Sequence, residues 1–213
     1  MRWLYVAVAG AVVFFLGHIW GNPWLSLVAK GVPVLALWFW LQRAPADLYR
    51  RWIGIGLLCS LAGDLLLSWP GDLFVPGLGA FLLAHLAYLR AYLSDCRKPA
   101  LAALLAAAVI GTGMFSVLAN AGLGPLLIPV ALYALAISAM LWRALARLGN
   151  DHLTRHSTLL AAGGATLFVL SDSLIGINRF VAPFEAAPFA IMLTYWLGQW
   201  AIAASAMRRT TSG

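Results

Sequence analysis

Long apolar runs separated by short polar breaks constrain the fold of this chain more than any other feature. An apolar helix needs about 20 residues to cross the hydrocarbon core of a bilayer. Lipid offers the backbone no hydrogen-bond partners, so each run is expected to be helical. Cutting the chain at charged residues, Pro and Gly predicts eight spans, at 3–20, 23–41, 52–69, 73–93, 99–118, 124–145, 157–177 and 186–207.

The composition excludes a soluble protein. Of the 213 residues, 63% are hydrophobic and 10% are charged, whereas a soluble domain carries about 25% charged residues. We therefore predict an all-α, polytopic membrane helical bundle, with residues 1–213 forming a single transmembrane domain. The net charge of +7 comes from residues between the apolar runs and not from a basic helix, so no nucleic-acid partner is expected.

The basic residues between the spans predict the orientation of the bundle. If all eight runs cross, all but two of the 14 Lys and Arg residues fall on one side. The positive-inside rule then predicts that both termini are cytoplasmic, and we expect a bacterial-type inner (cell) membrane. The two exceptions are Lys30, within the second span, and Arg179, in the last outer loop.

Two aspartates lie inside apolar runs, Asp64 in CSLAGDLLLS and Asp172 in LFVLSDSLIG. A charged side chain at the centre of a membrane helix costs about 2.5 kcal/mol or more, and such residues usually carry function. The predicted orientation puts both in the outer half of the membrane. Their surroundings, Gly63-Asp64-Leu65-Leu66 and Ser171-Asp172-Ser173-Leu174, are similar and about half a chain apart, which favours a 4+4 parallel repeat.

Further polar side chains lie between the outer leaflet and the membrane centre. His85 and Tyr88 are three residues apart, and Tyr195 and Gln199 are four apart, so each pair shares a helix face. Together with Lys30 and the aspartates they predict one polar pocket that opens towards the outer leaflet or its surface. Two structural alternatives stay open: a Lys30–Asp64 ion pair that only joins helices, and a histidine that only hydrogen-bonds across them.

At these positions the chain resembles the lysoplasmalogenase-like (YhhN) family of integral membrane proteins, and eight spans fit that family. In one departure, the family pattern has Lys followed directly by Pro, whereas Lys30 is followed by Gly31-Val32-Pro33. The matching pieces are GDLLL at 63–67, GLGAFLLAHLAY at 77–88, Tyr133 with Met140, GATLFVLSDSLIGINRF at 164–180, and Tyr195 with Gln199.

The resemblance implies hydrolysis of the vinyl ether bond of lysoplasmalogens (lysoplasmenyl-ethanolamine or -choline) to a fatty aldehyde and a glycerophospho-base, without metal or cofactor. That reaction needs an acid and a stabilising carboxylate, as in glycoside hydrolysis. We predict Asp64 and Asp172 as the acid/base pair, in either order, with His85 as a proton relay. The predicted substrate-binding residues are Lys30, Tyr88, Tyr133, Ser171, Asn178, Tyr195 and Gln199.

Two other classes of function remain open at this point. A small proton-coupled transporter of a lipid or amphipathic solute would also use intramembrane Asp, Lys and His residues. A metal-dependent lipid hydrolase would need about three clustered His with carboxylates, and only His85 and His18 are placed near the aspartates. The expected partners are a lysophospholipid substrate and membrane lipid, and the oligomeric state is undetermined.

Overall fold

The computed structural model of the protein describes residues 2–207, and all of its regular secondary structure is helical across that range. Short 3₁₀ turns flank the sixth helix at Gly124–Leu126 and Arg147–Gly149, and a π-helical turn at Ile177–Val181 extends the seventh. The long helices are α1 (Arg2–Ile19), α2 (Pro23–Leu41), α3 (Leu48–Ser68), α4 (Phe74–Asp95), α5 (Leu101–Asn120), α6 (Leu127–Ala146), α7 (Arg155–Gly176) and α8 (Ala187–Ala204).

The helix starts follow capping residues more closely than they follow the apolar runs. The Asp47 side chain accepts a hydrogen bond from the Arg50 amide at 2.8 Å, so α3 begins at Leu48, four residues before the predicted start at 52. Asn22 caps α2 through the Leu25 amide at 3.0 Å. A side-chain oxygen at the N-cap satisfies an amide that has no partner within the helix, and this extends the helix upstream of its apolar core.

Seven of the helices are long and apolar enough to cross a membrane, and α8 is not among them. The 18 residues of α8 include Tyr195 and Gln199, which lower its mean hydropathy. Large apolar side chains point outward on the other helices; Val109, for example, is 70% exposed and Leu135 is 71% exposed. The polytopic membrane helical bundle is therefore confirmed, and the eighth crossing stays a prediction.

Three helical hairpins form the body of the bundle: α1 with α2, α3 with α4, and α7 with α8. Contacts of α2 with α3 and α8 join them, and α6 packs against both α4 and α7. In the α7–α8 hairpin the two backbones touch, because a Cβ atom on Gly164 would lie 2.8 Å from the Gly198 carbonyl oxygen. Helix α5 is peripheral; it packs mainly on α6 and buries only Ala107 and Leu118.

The end of the bundle that the charge pattern predicts to be cytoplasmic, called the inner end below, holds a buried ionic network that the sequence did not predict. Arg147 is fully buried, and its Nε and Nη2 atoms each donate to an Asp95 carboxylate oxygen at 3.2 Å. Its guanidinium also lies 4.7 Å from the centre of the Tyr49 ring. The charge pattern predicts Arg147 only as an orientation signal, whereas its side chain is buried at the start of the 3₁₀ turn at Arg147–Gly149. Arg208 and Arg209, which belong to the predicted cytoplasmic set, lie outside the described residues.

Candidate active site

Asp64 on α3 is held by side chains from two other helices. Lys30 on α2 places its Nζ 3.8 Å from Oδ1, and the Tyr195 hydroxyl on α8 donates to Oδ2 at 2.7 Å. Lys30 also donates to the Ser68 Oγ at 2.9 Å. Asp64 is 2% exposed, so its carboxylate is buried with a positive charge and a phenol donor as its closest partners.

Asp172 on α7 has a different set of partners. Tyr133 on α6 donates its hydroxyl to Oδ2 at 2.5 Å, and the His85 Nε2 on α4 lies 3.1 Å from the same oxygen. The His85 Nε2 and the Tyr133 hydroxyl are themselves 2.8 Å apart. The three side chains therefore form a closed triangle around one carboxylate oxygen, and within residues 2–207 both hydrogen bonds to this aspartate fall on Oδ2.

Aromatic rings lie beside both clusters. The Phe168 ring is 4.8 Å from the His85 ring and 5.4 Å from the Tyr195 ring, centre to centre. Phe81 contacts both Phe168 and Tyr195. The sequence predicted one polar pocket, whereas the structure has two polar clusters with these rings packed against them. Helix periodicity showed which side chains face inward but not that the phenylalanines share the interior with them.

The other predicted binding residues hold helices together or lie at the cavity mouth. Tyr88 donates to the Gln199 Oε1 at 2.6 Å, and both side chains are fully buried. Ser171 donates to the Ile191 carbonyl oxygen at 3.1 Å, which links α7 to α8. Asn178 accepts a hydrogen bond from the Phe184 amide at 3.1 Å and lines the outer cavity.

A cavity of about 710 Å³ opens at the end of the bundle opposite the Arg147 network, called the outer end, between the ends of α1, α2, α3, α7 and α8. Its polar lining includes Lys30, Arg179, His18 and Asn178. The Lys30 ammonium therefore joins this cavity to Asp64. The sequence predicted a polar pocket that opens on this side and includes Lys30, but not its full lining, which comes from helix ends and loops that lie far apart in the chain.

A second, smaller pocket of about 60 Å³ is lined by Asp172 and Tyr133. It shares three wall residues, Leu67, Phe74 and Ile175, with the outer cavity. These apolar side chains stand between the outer cavity and Asp172. We call them the partition.

Ionic and aromatic contacts at the outer surface hold the partition. The Arg179 guanidinium lies 3.9 Å from the centre of the Phe74 ring and donates to Asp72 at 3.2 Å. Asp72 is exposed, and the tertiary structure brings Arg179 to it from a distant part of the chain. Across residues 2–207, no three His, Cys, Asp or Glu side chains are grouped closely enough to hold a metal ion.

Residues 25–206 match the YhhN family. The chain belongs to the YhhN family. It is 35% identical to Lysoplasmalogenase TMEM86B of Homo sapiens over 212 residues, which cover 97% of this chain and 87% of the human protein. It is 40% identical to the Lysoplasmalogenase of Mycobacterium tuberculosis (strain CDC 1551 / Oshkosh) over 159 residues, 71% of this chain and 58% of that protein. No solved structure matches the chain.

Proposed function

We propose that this YhhN-family protein is a membrane lysoplasmalogenase. It would hydrolyse the vinyl ether bond of lysoplasmenyl-ethanolamine or -choline to a fatty aldehyde and a glycerophospho-base. The names of its relatives support the reaction class. The observation that carries the proposal is the triangle of Asp172, His85 and Tyr133, two members of which, Asp172 and Tyr133, line a small pocket beside the outer cavity.

The reaction requires a proton donor and a group that stabilises the positive charge that develops on the substrate. Protonation of the β-carbon of the vinyl ether leaves an oxocarbenium ion at the carbon that carries the ether oxygen. Water adds to that carbon and loses a proton, which gives a hemiacetal. The hemiacetal collapses by breaking its bond to the glycerol oxygen, so one water is consumed and an aldehyde and a free hydroxyl are formed.

Asp172 suits the role of acid and Asp64 the role of charged stabiliser. Tyr133 and His85 both contact Oδ2 of Asp172, which leaves Oδ1 to carry the proton towards the β-carbon. After donating it, Asp172 is a carboxylate that can take a proton from the attacking water, as the acid of a retaining glycosidase does. Asp64, whose Oδ1 lies 3.8 Å from the Lys30 Nζ, would be the carboxyl group that stabilises the oxocarbenium ion.

The outer cavity suits the glycerophospho-base. Lys30, Arg179 and His18 in its lining can contact a phosphate, because ammonium and guanidinium groups make strong charge-assisted hydrogen bonds to phosphate oxygens. Asn178 would orient the glycerol part. The vinyl ether would then cross the partition and reach Asp172.

The test uses purified protein and a lysoplasmenyl lipid, with release of fatty aldehyde as the measurement. Asp64→Asn and Asp172→Asn should each lose at least about 100-fold in kcat, a magnitude typical of an acid or base group. The matched control is Asp151→Asn, at an exposed loop position, which should keep wild-type activity. Near wild-type aldehyde release by both active-site variants would refute the two-carboxylate mechanism.

The same preparation in liposomes separates hydrolysis from transport. A proton-coupled carrier would deliver unchanged lipid to the far side, whereas a hydrolase releases aldehyde. Aldehyde release that is lost in Asp172→Asn supports the hydrolase. If unchanged lipid reaches the far side and no aldehyde forms, the protein is a carrier instead.

The 4+4 parallel repeat that we propose for the eight helices is supported by the partners of the two aspartates. Asp64 on α3 contacts α2 and α8, and Asp172 on α7 contacts α6 and α4. If α2, α3 and α4 correspond in that order to α6, α7 and α8, the helices that contact Asp64 correspond to those that contact Asp172. Gly56 and Gly164 precede the two aspartates by the same number of residues, and each faces the next helix closely.

We further propose that all eight helices cross a bacterial-type inner membrane, with both termini cytoplasmic. Single cysteines introduced into the exposed loops at 46 and 151 should be shielded from a membrane-impermeant thiol reagent in intact cells. A cysteine at exposed Gly122, between α5 and α6, should be labelled. Labelling in the reverse pattern would overturn the orientation.

A further inference from the structure

Three pockets adjoin one another between Asp172 and the inner half of the contact between α5 and α6. The first is the pocket of about 60 Å³ beside the partition, and the second, also about 60 Å³, shares Tyr133 and Asp172 with it. The third is wider, at about 370 Å³, and shares Gly111 and Ala134 with the second. We call this series the α5–α6 track.

The track is long enough to hold a hydrocarbon chain. On α5 its lining extends from Leu118, near the outer end, to Leu104. That separation corresponds to about 21 Å of helix at ~1.5 Å per residue. This is longer than the about 15 Å that one leaflet contributes to a hydrocarbon core ~30 Å thick, so the track passes the membrane centre. A single alkyl chain that starts at Asp172 therefore fits within the track.

The wide pocket has an apolar lining, because the hydroxyl groups of its polar residues are bonded within their own helices. The Thr112 hydroxyl donates to the Ala108 carbonyl oxygen at 2.6 Å, and the Ser138 hydroxyl donates to the Ala134 carbonyl oxygen at 2.6 Å. Each hydroxyl is thus satisfied by its own helix. The pocket presents mainly methyl and methylene groups to an occupant, which suits an alkyl chain and disfavours a headgroup.

We propose that the α5–α6 track holds the hydrocarbon chain of the lysolipid and sets the preference for chain length. The proposal rests on the proposed function, because a vinyl ether is the bond at which that chain joins the glycerol. Asp172 lies at the head of the track, where this bond would stand. The partition separates the track from the outer cavity, so headgroup and chain would lie on opposite sides of it.

Gly111 is the residue at which a long alkyl chain would be distinguished from a short one. It lines both the second and the third pocket, and a Cβ atom there would collide with the Ser138 hydroxyl. A leucine at this position would close the wide pocket from the part of the track beside Asp172. A short chain would still end before the block, and a long chain would meet it.

The experiment compares Gly111→Leu with Gly113→Leu, on the same helix. A Cβ atom on Gly113 would meet no neighbouring helix or side chain within 4 Å, and this glycine lines none of the three pockets. Lysoplasmenyl lipids with one headgroup and either a short or a long chain are assayed for aldehyde release. In Gly111→Leu the long-to-short ratio of kcat/KM should fall about tenfold or more, and in Gly113→Leu it should stay at the wild-type value.

A second variant and a second measurement keep the outcome decisive. Ala134→Leu narrows the same junction from α6 and replaces Gly111→Leu if that variant does not fold. Photocrosslinking with a lysolipid that carries a diazirine in its chain maps the occupant without turnover. Adducts on α5 and α6 that disappear in the variant support the track, even if wild-type protein releases no aldehyde and the proposed reaction fails. An unchanged chain-length ratio in a folded variant, or adducts confined to other helices, would overturn it.

Discussion

Each buried aspartate is stabilised by a different kind of partner, although the two have similar sequence surroundings. Asp64 is matched with an ammonium group, and Asp172 with a phenol and an imidazole. A buried charge is tolerated only where it is paired and hydrogen-bonded. This difference in partners is what allows the two carboxyl groups to take different roles.

Tyr133 should act as a positioning residue for Asp172. Tyr133→Phe removes the hydroxyl that donates at 2.5 Å and keeps the ring. We expect kcat for aldehyde release to fall about 100-fold with little change in KM, because the headgroup contacts in the outer cavity are intact. Tyr5→Phe, at a position that is 73% exposed, is the control. A fall in thermal stability that accounted for all the lost activity would contradict this role.

At the scale of elements, close helix contacts define the hairpins. The backbones of α7 and α8 touch at Gly164 and Gly198, where a Cβ atom on Gly164 would meet the Gly198 oxygen and the Ile202 amide nitrogen at 2.8 Å. Membrane helices associate largely through such packing, because lipid gives no hydrophobic drive between them. Asp172 and Tyr195 lie on these two helices, so their relative placement depends on this contact.

Gly164→Ala should destabilise the protein, whereas Gly163→Ala should not. The added methyl group at 164 meets backbone atoms that cannot move aside, and overpacking of this kind costs about 1–3 kcal/mol. Gly163 has open space around it, where alanine favours the helix by up to about 1 kcal/mol. Unfolding in detergent, followed by circular dichroism against denaturant concentration, measures both. Equal stability of the two variants would show that the α7–α8 contact is looser than these distances imply.

At the scale of the whole molecule, the two ends of the bundle are built differently. The outer end holds an open cavity of about 710 Å³. At the inner end, Arg147 forms an ion pair with Asp95 and donates a hydrogen bond to Ser157 at 3.2 Å. Ser157 in turn donates to the Ser205 carbonyl oxygen at 2.6 Å, so the network connects the inner ends of α4, α7 and the segment after α8.

Arg147→Met should therefore reduce stability without changing the chemistry. Removing one partner of a buried ion pair costs about 3–5 kcal/mol, because the other charge stays buried. Arg43→Met, at an exposed loop position, removes the same charge and should change stability by less than about 1 kcal/mol. Unfolding in detergent gives the stability, and aldehyde release per folded molecule gives the activity. A large loss of activity in folded Arg147→Met would mean that the network acts on the site itself.

Much of the fold could be predicted from the sequence, and less of the site. Helix α2 has its predicted bounds, because Pro23 and the Asn22 cap fix its start. The arrangement around Asp172 was not predictable from spacing, since Tyr133 and His85 lie on helices that are distant in the chain. Tyr133 was found only through the family resemblance.

The sequence by itself determined that the chain forms apolar helices and that polar side chains lie among them. The reason is local: lipid forces backbone hydrogen bonds to close within each helix, and helical periodicity assigns each side chain to a face. Only the tertiary structure decided that these side chains form two clusters, with a partition before Asp172 and a track behind it. Periodicity fixes the face on which a residue lies, whereas packing between helices fixes which neighbour covers that face.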